Sequence, residues 1–289
     1  MNESSNKIAY VNIRKVDLTQ CDDTGDALAI EEPLEIQLQF GKQGEFTNSI
    51  AVTMRTPGND LELAVGFLFT EGIIKSHHQL KSNRLDESDN KIRITLQENE
   101  VPSLKNIERN FYTTSSCGVC GKASIEAIKT ISAFNIHGDH AHIEARIIQQ
   151  LEKELIQQQT VFSKTGGLHA SALFDDHGQF ILLREDVGRH NALDKLIGAA
   201  LQKNSLPLSN KILLLSGRAS FELIQKASMA GIPVVAAVGA PSSLAVSLAK
   251  EAGMTLIGFL RNDRFNIYCG DERLALHNSG EGIHTHALA

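Results

Sequence analysis

Apolar and polar residues alternate along three stretches of the first third of the chain. In "EIQLQF" the alternation puts Ile36, Leu38 and Phe40 on one face, in "SIAVTM" Ile50, Val52 and Met54, and in "KIRITL" Ile92, Ile94 and Leu96. A repeat of two is that of a strand, and one apolar face predicts an antiparallel sheet with one side buried. Between them "LELAVGFLFTEG" shifts to a helical repeat in which Leu61, Ala64, Val65 and Leu68 share a face. Asn59 or Asp60 is placed to cap this helix and Gly72 to end it. "SNRLDESDN" (82–90) is rich in charge and reads as a surface turn.

Beyond residue 120 the rhythm changes. "ASIEAIKTISAF" and "HIEARIIQQLEKELI" predict amphipathic helices, the second with Ile143, Ile147, Leu151 and Leu155 in one stripe. "HASALFD" and "QFILLRE" flank "DDHG", a hairpin signal. Short apolar strands then alternate with helices: "NALDKLIGAALQK", "KILLLSG", "FELIQKASMA", "PVVAAVG", "SSLAVSLAKEA" and "TLIGFLR". That order predicts a parallel, helix-covered sheet, with "RFNIYC" pairing at its edge. The fold class is therefore α/β, α+β overall. A boundary near residues 105–115 gives a β-rich domain over 1–110 and an α/β domain over 111–289.

The net charge of −6 provides no general attraction to nucleic acid, so an anionic ligand needs local groups. The polar start "MNESSNKIAY" lacks the apolar core of a secretory signal, and no apolar run approaches the ~18 residues of a membrane span. The expected setting is the cytoplasm, with no membrane partner. There, four cysteines are not a disulfide framework. Cys117 and Cys120 form a CxxC in "TTSSCGVCGK", where the α/β domain begins; Cys21 and Cys269 are isolated and read as bystanders.

Zinc would need further ligands. His137, His140 and His142 are the nearest, and "HIE" (142–144) echoes the H-x-E of zinc deaminases, but those place H-x-E before P-C-x-x-C. A thioredoxin-like dithiol normally opens a helix early in a βαβ unit, whereas Gly118 and Gly121 favour a loop. A sulfur carrier fits a third way: a thiolate favoured by Lys122 and a nearby helix start becomes a persulfide and hands its sulfur on. Two buried apolar cysteines would fit poorly in a glycine- and serine-rich loop.

The chain resembles the FdhD/NarQ family of formate dehydrogenase accessory sulfurtransferases. The resemblance runs through "RTPGNDLELAVGFLFTEGII" (55–73), "SSCGVCGK" (115–122), "TGGLHASAL" (165–173), "REDVGRHNALDKLIG" (184–198), "SGRASFELIQKA" (216–227), "GAPSSLAV" (239–246) and "GFLRNDRFNIY" (258–268). It implies a carrier that takes sulfur from a cysteine desulfurase. The sulfur then passes to the bis-molybdopterin guanine dinucleotide form of the molybdenum cofactor, before insertion into the formate dehydrogenase apoprotein. It also implies a persulfide on Cys117 with Cys120 as partner, and cofactor binding by Phe259, Leu260, Arg261, Asn262, Asp263 and Arg264. A cytidine deaminase-like fold for the C-terminal domain, a homodimer and no permanent metal are further implications. The alternatives are a zinc-dependent nucleoside deaminase-like hydrolase and a cofactor-binding chaperone without sulfur chemistry.

The cofactor carries phosphates, and in open α/β sheets ligands collect beyond the carboxyl ends of the strands. Two turns are predicted there. "SGRAS" offers Ser216, Gly217 and Arg218, and "GAPSS" offers Gly239 and Ser242, each with glycine for close approach and a helix start to receive phosphate. Arg261 and Arg264 add bidentate donors. Ordinary βα turns with surface arginines are the plain alternative. His169 and His190 are either proton-transfer groups or structural histidines. Asp186 or Asn191 is expected to cap the helix after them.

Overall fold

The computed structural model describes residues 7–86, 89–103, 132, 134–136, 142–261 and 263–276. The expected domain boundary, Cys117, Cys120, His137, His140 and Asn262 lie outside these residues, as does nearly all of the helix expected in "ASIEAIKTISAF". No described helix is long and apolar enough to cross a membrane.

A hairpin of β1 (Ile8–Val16) and β2 (Cys21–Ala29) comes first. Almost wholly exposed, it lacks the one-sided apolar stripe that would have announced it. A four-stranded sheet follows, ordered β4-β3-β6-β5, from β3 (Glu32–Phe40), β4 (Phe46–Arg55), β5 (Leu80–Asp86) and β6 (Lys91–Leu96). It is mixed rather than antiparallel: β6 runs parallel to β3. Helix α1 (Asp60–Thr70) crosses from β4 to the far side of the sheet, so the β5–β6 hairpin docks with β6 alongside β3. Ser82 to Asp86 are strand and not turn. As an exposed edge strand, β5 carries the charge that discourages further pairing and so hides its own pattern.

Ile36 and Leu38 are buried as the alternation predicted, and so are Ile92, Ile94 and Leu96. In β4 only Ile50 is; Val52 and Met54 stand exposed. The cause is a bulge. Ile36 pairs with Ala51 and Gln37 with Ser49, so Ile50 is an extra residue and the parity flips after it. Thr53 and Arg55 turn inward instead.

The short β7 (Ile143–Glu144) pairs parallel with β14 (Leu274–Ala275), and the larger sheet is ordered β13-β12-β11-β10-β8-β9. Its centre is β10 (Lys211–Leu215), β11 (Val234–Ala237) and β12 (Thr255–Arg261), all parallel. The hairpin β8 (His169–Asp175) and β9 (Phe180–Asp186) joins antiparallel on one side, β13 (Arg264–Cys269) on the other. The sheet is thus mixed, parallel only at its core. Alternation inside β10 sends Leu213 and Leu215 to one face and Ile212 and Leu214 to the other. The first face packs α4 (Arg189–Gln202), α5 (Phe221–Met229) and α6 (Ser243–Glu251), and shares one apolar cluster with α1, β3 and β6. The second packs α2 (Ala145–Gln158) through Ile148, Leu151 and Leu155. Of the expected stripe, Ile143 lies in β7 ahead of the helix and Ile147 is only partly buried, because the helix starts at Ala145 and turns Ile148 inward.

Helices α1 and α4 cross glycine against glycine. A Cβ on Gly66 would lie 1.9 Å from the Asp194 carbonyl oxygen, and one on Gly198 1.8 Å from that of Glu62. Around this crossing a polar network is buried. Lys195 Nζ lies 2.7 Å from Asp186 Oδ2 and donates to the Thr56 carbonyl at 2.8 Å. Asp186 also accepts from the amides of Thr56 and Gly188 and from Asn191 Nδ2. Neither Asp186 nor Asn191 caps α4 with its side chain; the cap position is Gly188, whose amide Asp186 holds. Asn59 occupies the cap position of α1 without a side-chain cap bond, and Asp60 instead binds Arg55 through both oxygens.

Candidate functional site

The carboxyl ends of β10, β11 and β12 continue into one hydrogen-bonded rim. Val238 N donates to Leu215 O, Gly239 N to Gly217 O at 2.9 Å, Ala219 N to Ala240 O, and Ser242 N to Ala219 O at 3.0 Å. "SGRAS" and "GAPSS" are therefore not separate turns but a zipped pair. Gly239 has to be glycine, because a Cβ there would meet the Arg218 and Gly217 backbone at 3.0 Å. The third strand closes on the same rim through Phe259 N to Gly239 O, 3.1 Å, and Arg261 Nε to Val238 O, 3.3 Å.

The structure thus brings Ser216, Gly217, Arg218, Gly239, Ser242, Phe259 and Arg261 together. Ser216 Oγ accepts from Ala170 N at 2.8 Å, which ties the rim to β8. Ser242 caps α6 by accepting from Ala245 N at 3.2 Å. Ser220 holds the same position on α5, but its Oγ is buried with no hydrogen-bond partner. Arg218, Arg261 and Arg264 are exposed, and Arg261 stands opposite Arg264 in the β12–β13 register. Like charges set opposite each other on a sheet repel, so this pair favours an anion between them.

Phe259 is 46 % exposed with a φ of +52°, a conformation a bulky side chain adopts only under constraint. A register shift between Gly258 and Arg261 accompanies it. Leu260 points the other way and is fully buried, so its side chain serves the core rather than the rim. Asp263 is tied to α2: its carbonyl accepts from Gln149 Nε2, and its carboxylate pairs with Lys153 at 3.1 Å.

Beside the rim, β8, α4 and α5 assemble residues that the sequence does not group. His169 is half-buried against Gly217. Burial is the main cause that pushes its pKa down; Arg189 and His190 add to this and Asp186 opposes it. His190 is buried, with Nε2 3.8 Å from Glu222 Oε2, too far for a formed hydrogen bond. The His190 imidazole is the largest influence holding the Glu222 carboxyl down to about 2, and burial works against it. Glu222 and Arg189 were not anticipated; Ser220 followed by an acid at a helix start was the only local signal for the first. Among the described residues no group of three His, Cys, Asp or Glu is placed to hold a metal.

Known proteins match this chain over most of its length. The model of the FdhD/NarQ family matches residues 29–275. A "Sulfur carrier protein FdhD" of Mycolicibacterium paratuberculosis is 51% identical over 257 residues, 86% of this chain and 92% of that protein. One from Saccharolobus solfataricus is 40% identical over 269 residues, covering 91% and 99%. The crystal structure of a candidate formate dehydrogenase accessory protein from Desulfotalea psychrophila superposes with a TM-score of 0.70. It covers 93% of this chain and all of that one, and at 22% identity it bears on the fold alone. With a family model spanning nearly the whole described fold and relatives this similar, the chain belongs to the FdhD/NarQ family.

Proposed function

We propose that this protein carries sulfur from a cysteine desulfurase to a molybdenum cofactor bearing guanine dinucleotides, before that cofactor enters formate dehydrogenase. The observation that carries the reading is the zipped rim, a concentration of glycine backbone, helix starts and unshielded arginines suited to phosphates, in a chain whose relatives are named sulfur carriers. Helices α5 and α6 both begin on the rim, and Phe259 offers an aromatic face on which a base can stack.

Cys117 is the carrier residue in this reading, resting on the sequence of its loop. Its thiolate attacks the outer sulfur of a persulfide on the desulfurase. A sulfur–sulfur bond forms at Cys117 as the donor's breaks, and the donor cysteine leaves as thiolate, so no oxidant is required. Cys120 is the neighbouring thiol that tunes or resolves the persulfide. The rim holds the acceptor by its nucleotide ends while the sulfur is delivered.

Incubation with a desulfurase and cysteine, followed by intact-mass measurement, is expected to add about 32 Da, one sulfur atom, to the wild type. Cys117→Ala is expected to stay unlabelled and to fail in restoring formate dehydrogenase activity to a strain lacking this protein. Full labelling of Cys117→Ala would remove that residue from the role.

A further inference from the structure

Next to the rim, the charged groups around His169 do not balance. Asp186 has Lys195 as its partner at 2.7 Å, and Glu222 has the His190 imidazole. Glu152 of α2 lines a cavity of about 390 Å³ together with His169 and with Phe162 of the short helix α3 (Phe162–Thr165), and it is itself engaged. Arg189 is the exception. Its Nε is buried with no hydrogen-bond partner, and among the described residues no carboxylate forms an ion pair with it.

Arg189 and His190 open α4, a helix of 14 residues, so the helix start adds partial positive charge to that of the guanidinium. Further polar groups there are buried and unanswered. His190 is 3 % exposed and its Nε2 has no hydrogen-bond partner; the hydroxyls of Ser171 and Ser220 have none either. Ser171 lies two residues beyond His169 on the same face of β8, and Ser220 immediately precedes α5. A buried polar group without a partner is costly, and several together mark a place that something completes. Arg189 and His169 are only partly buried, so a ligand reaches them without opening the core. Burial, Arg189 and His190 push the His169 pKa down while Asp186 opposes them, so its ring is neutral at and above the ordinary 6.5.

The surplus is one positive charge beside a neutral imidazole. That combination suits a small monoanion that arrives carrying a proton, and a weakly hydrated guanidinium favours a polarisable one. The terminal sulfur of a persulfide meets both conditions. We propose that Arg189, the start of α4 and His169 form a sulfur-anion site, separate from the arginines of the rim, in which a persulfide is held and deprotonated. The proton of R–S–SH passes to the His169 ring, the electron pair of the broken S–H bond stays on the terminal sulfur, and Arg189 stabilises the R–S–S⁻ that results. No oxidant or reductant enters. The inference rests on the reading of this protein as a sulfur carrier, and it adds the residues that make the carried sulfur reactive.

The test uses the full chain, loaded with sulfur by a desulfurase and cysteine, as wild type, Arg189→Gln and Arg189→Lys. Alkylation of the persulfide by iodoacetamide is followed against pH and expressed per loaded molecule. The midpoint is expected about one pH unit lower in wild type than in Arg189→Gln, because a nearby opposite charge favours the anion. Arg189→Lys, which keeps the charge, is expected to restore most of that difference. In wild type the His169 ring, followed by NMR, is expected to titrate about one unit higher when the chain is loaded than when it is not, since the sulfur anion favours the imidazolium. Equal midpoints in wild type and Arg189→Gln, or a His169 titration indifferent to loading, would overturn the proposal. Failure of wild type to take up sulfur removes the carrier reading and this site with it, whereas uptake with unchanged midpoints removes the site alone.

Discussion

The junction of α1 with α4 and α5 and the rim beyond β10–β12 are both rich in polar side chains, and they treat them in opposite ways. At the junction the groups are buried and matched. Lys226 Nζ reaches Asp194 at 3.0 Å, Thr70 Oγ1 at 2.9 Å and Glu71 at 3.3 Å, while Thr70 Oγ1 donates to the other Asp194 oxygen at 2.8 Å. Burial opposes the Lys226 charge, but Asp194 and Glu71 together outweigh it and raise its pKa. The same burial pushes Asp194 up; with donors on both carboxylate oxygens, the ionised pair is the state the geometry supports. At the rim the arginines are exposed, Phe259 sits in a left-handed conformation, and the Ser220 hydroxyl at the start of α5 is buried without a hydrogen-bond partner. Matched polar groups fix how two layers meet; unmatched ones are what a ligand can complete.

That contrast can be broken most directly at Asp186. Asp186→Ala leaves the buried Lys195, whose pKa burial already pushes down, without its ion partner, and urea denaturation is expected to show a loss of about 3–5 kcal/mol. Arg264→Ala at the rim is expected to shift stability by no more than about 0.5 kcal/mol while weakening GDP binding by roughly tenfold. Similar stability costs at the two sites would erase the distinction. Next in size is the glycine crossing. Gly198→Ala drives a methyl group into the Glu62 carbonyl, backbone against backbone, and a destabilisation of roughly 1–3 kcal/mol or more is expected, with GDP affinity per folded molecule retained.

The smallest effects are acid titrations. His169 has a lowered pKa, so its neutral form contributes fully above the ordinary value of 6.5 and the contribution is lost as the pH falls below it. Glu222 is also lowered, from 4.5 to about 2, so its contribution is present above 4.5 and is lost as the pH falls toward 2. Stability followed against pH is expected to fall in two steps, the first absent in His169→Gln and the second in Glu222→Gln. A single step unchanged by either variant would place the acid sensitivity in the junction instead.

Most elements were legible because the chain repeats its burial pattern locally. β10 and β11 read as buried strands because every position after Lys211 faces a core, and α2 because one face of it does. Val52 and Met54 were misplaced for a physical reason: one inserted residue at Ile50 reverses the faces, and nothing in a period of two announces it. The β1–β2 hairpin and β5 were missed because exposed strands have no apolar signature. The rim turns were visible as glycine, serine and arginine at strand ends, but Leu260 was grouped with them although its side chain belongs to the core.

The sequence by itself determined the period of most buried strands and helices, the strand–helix order of the C-terminal half, and the family, because these depend on residues near one another in the chain. Tertiary structure alone decided that "SGRAS", "GAPSS" and "FLR" form one rim. It alone set His190 against Glu222 and His169 against Gly217. Those partners are separated by tens of residues and meet only when the sheet and its helices close, and one sequence carries no record of contacts between distant positions.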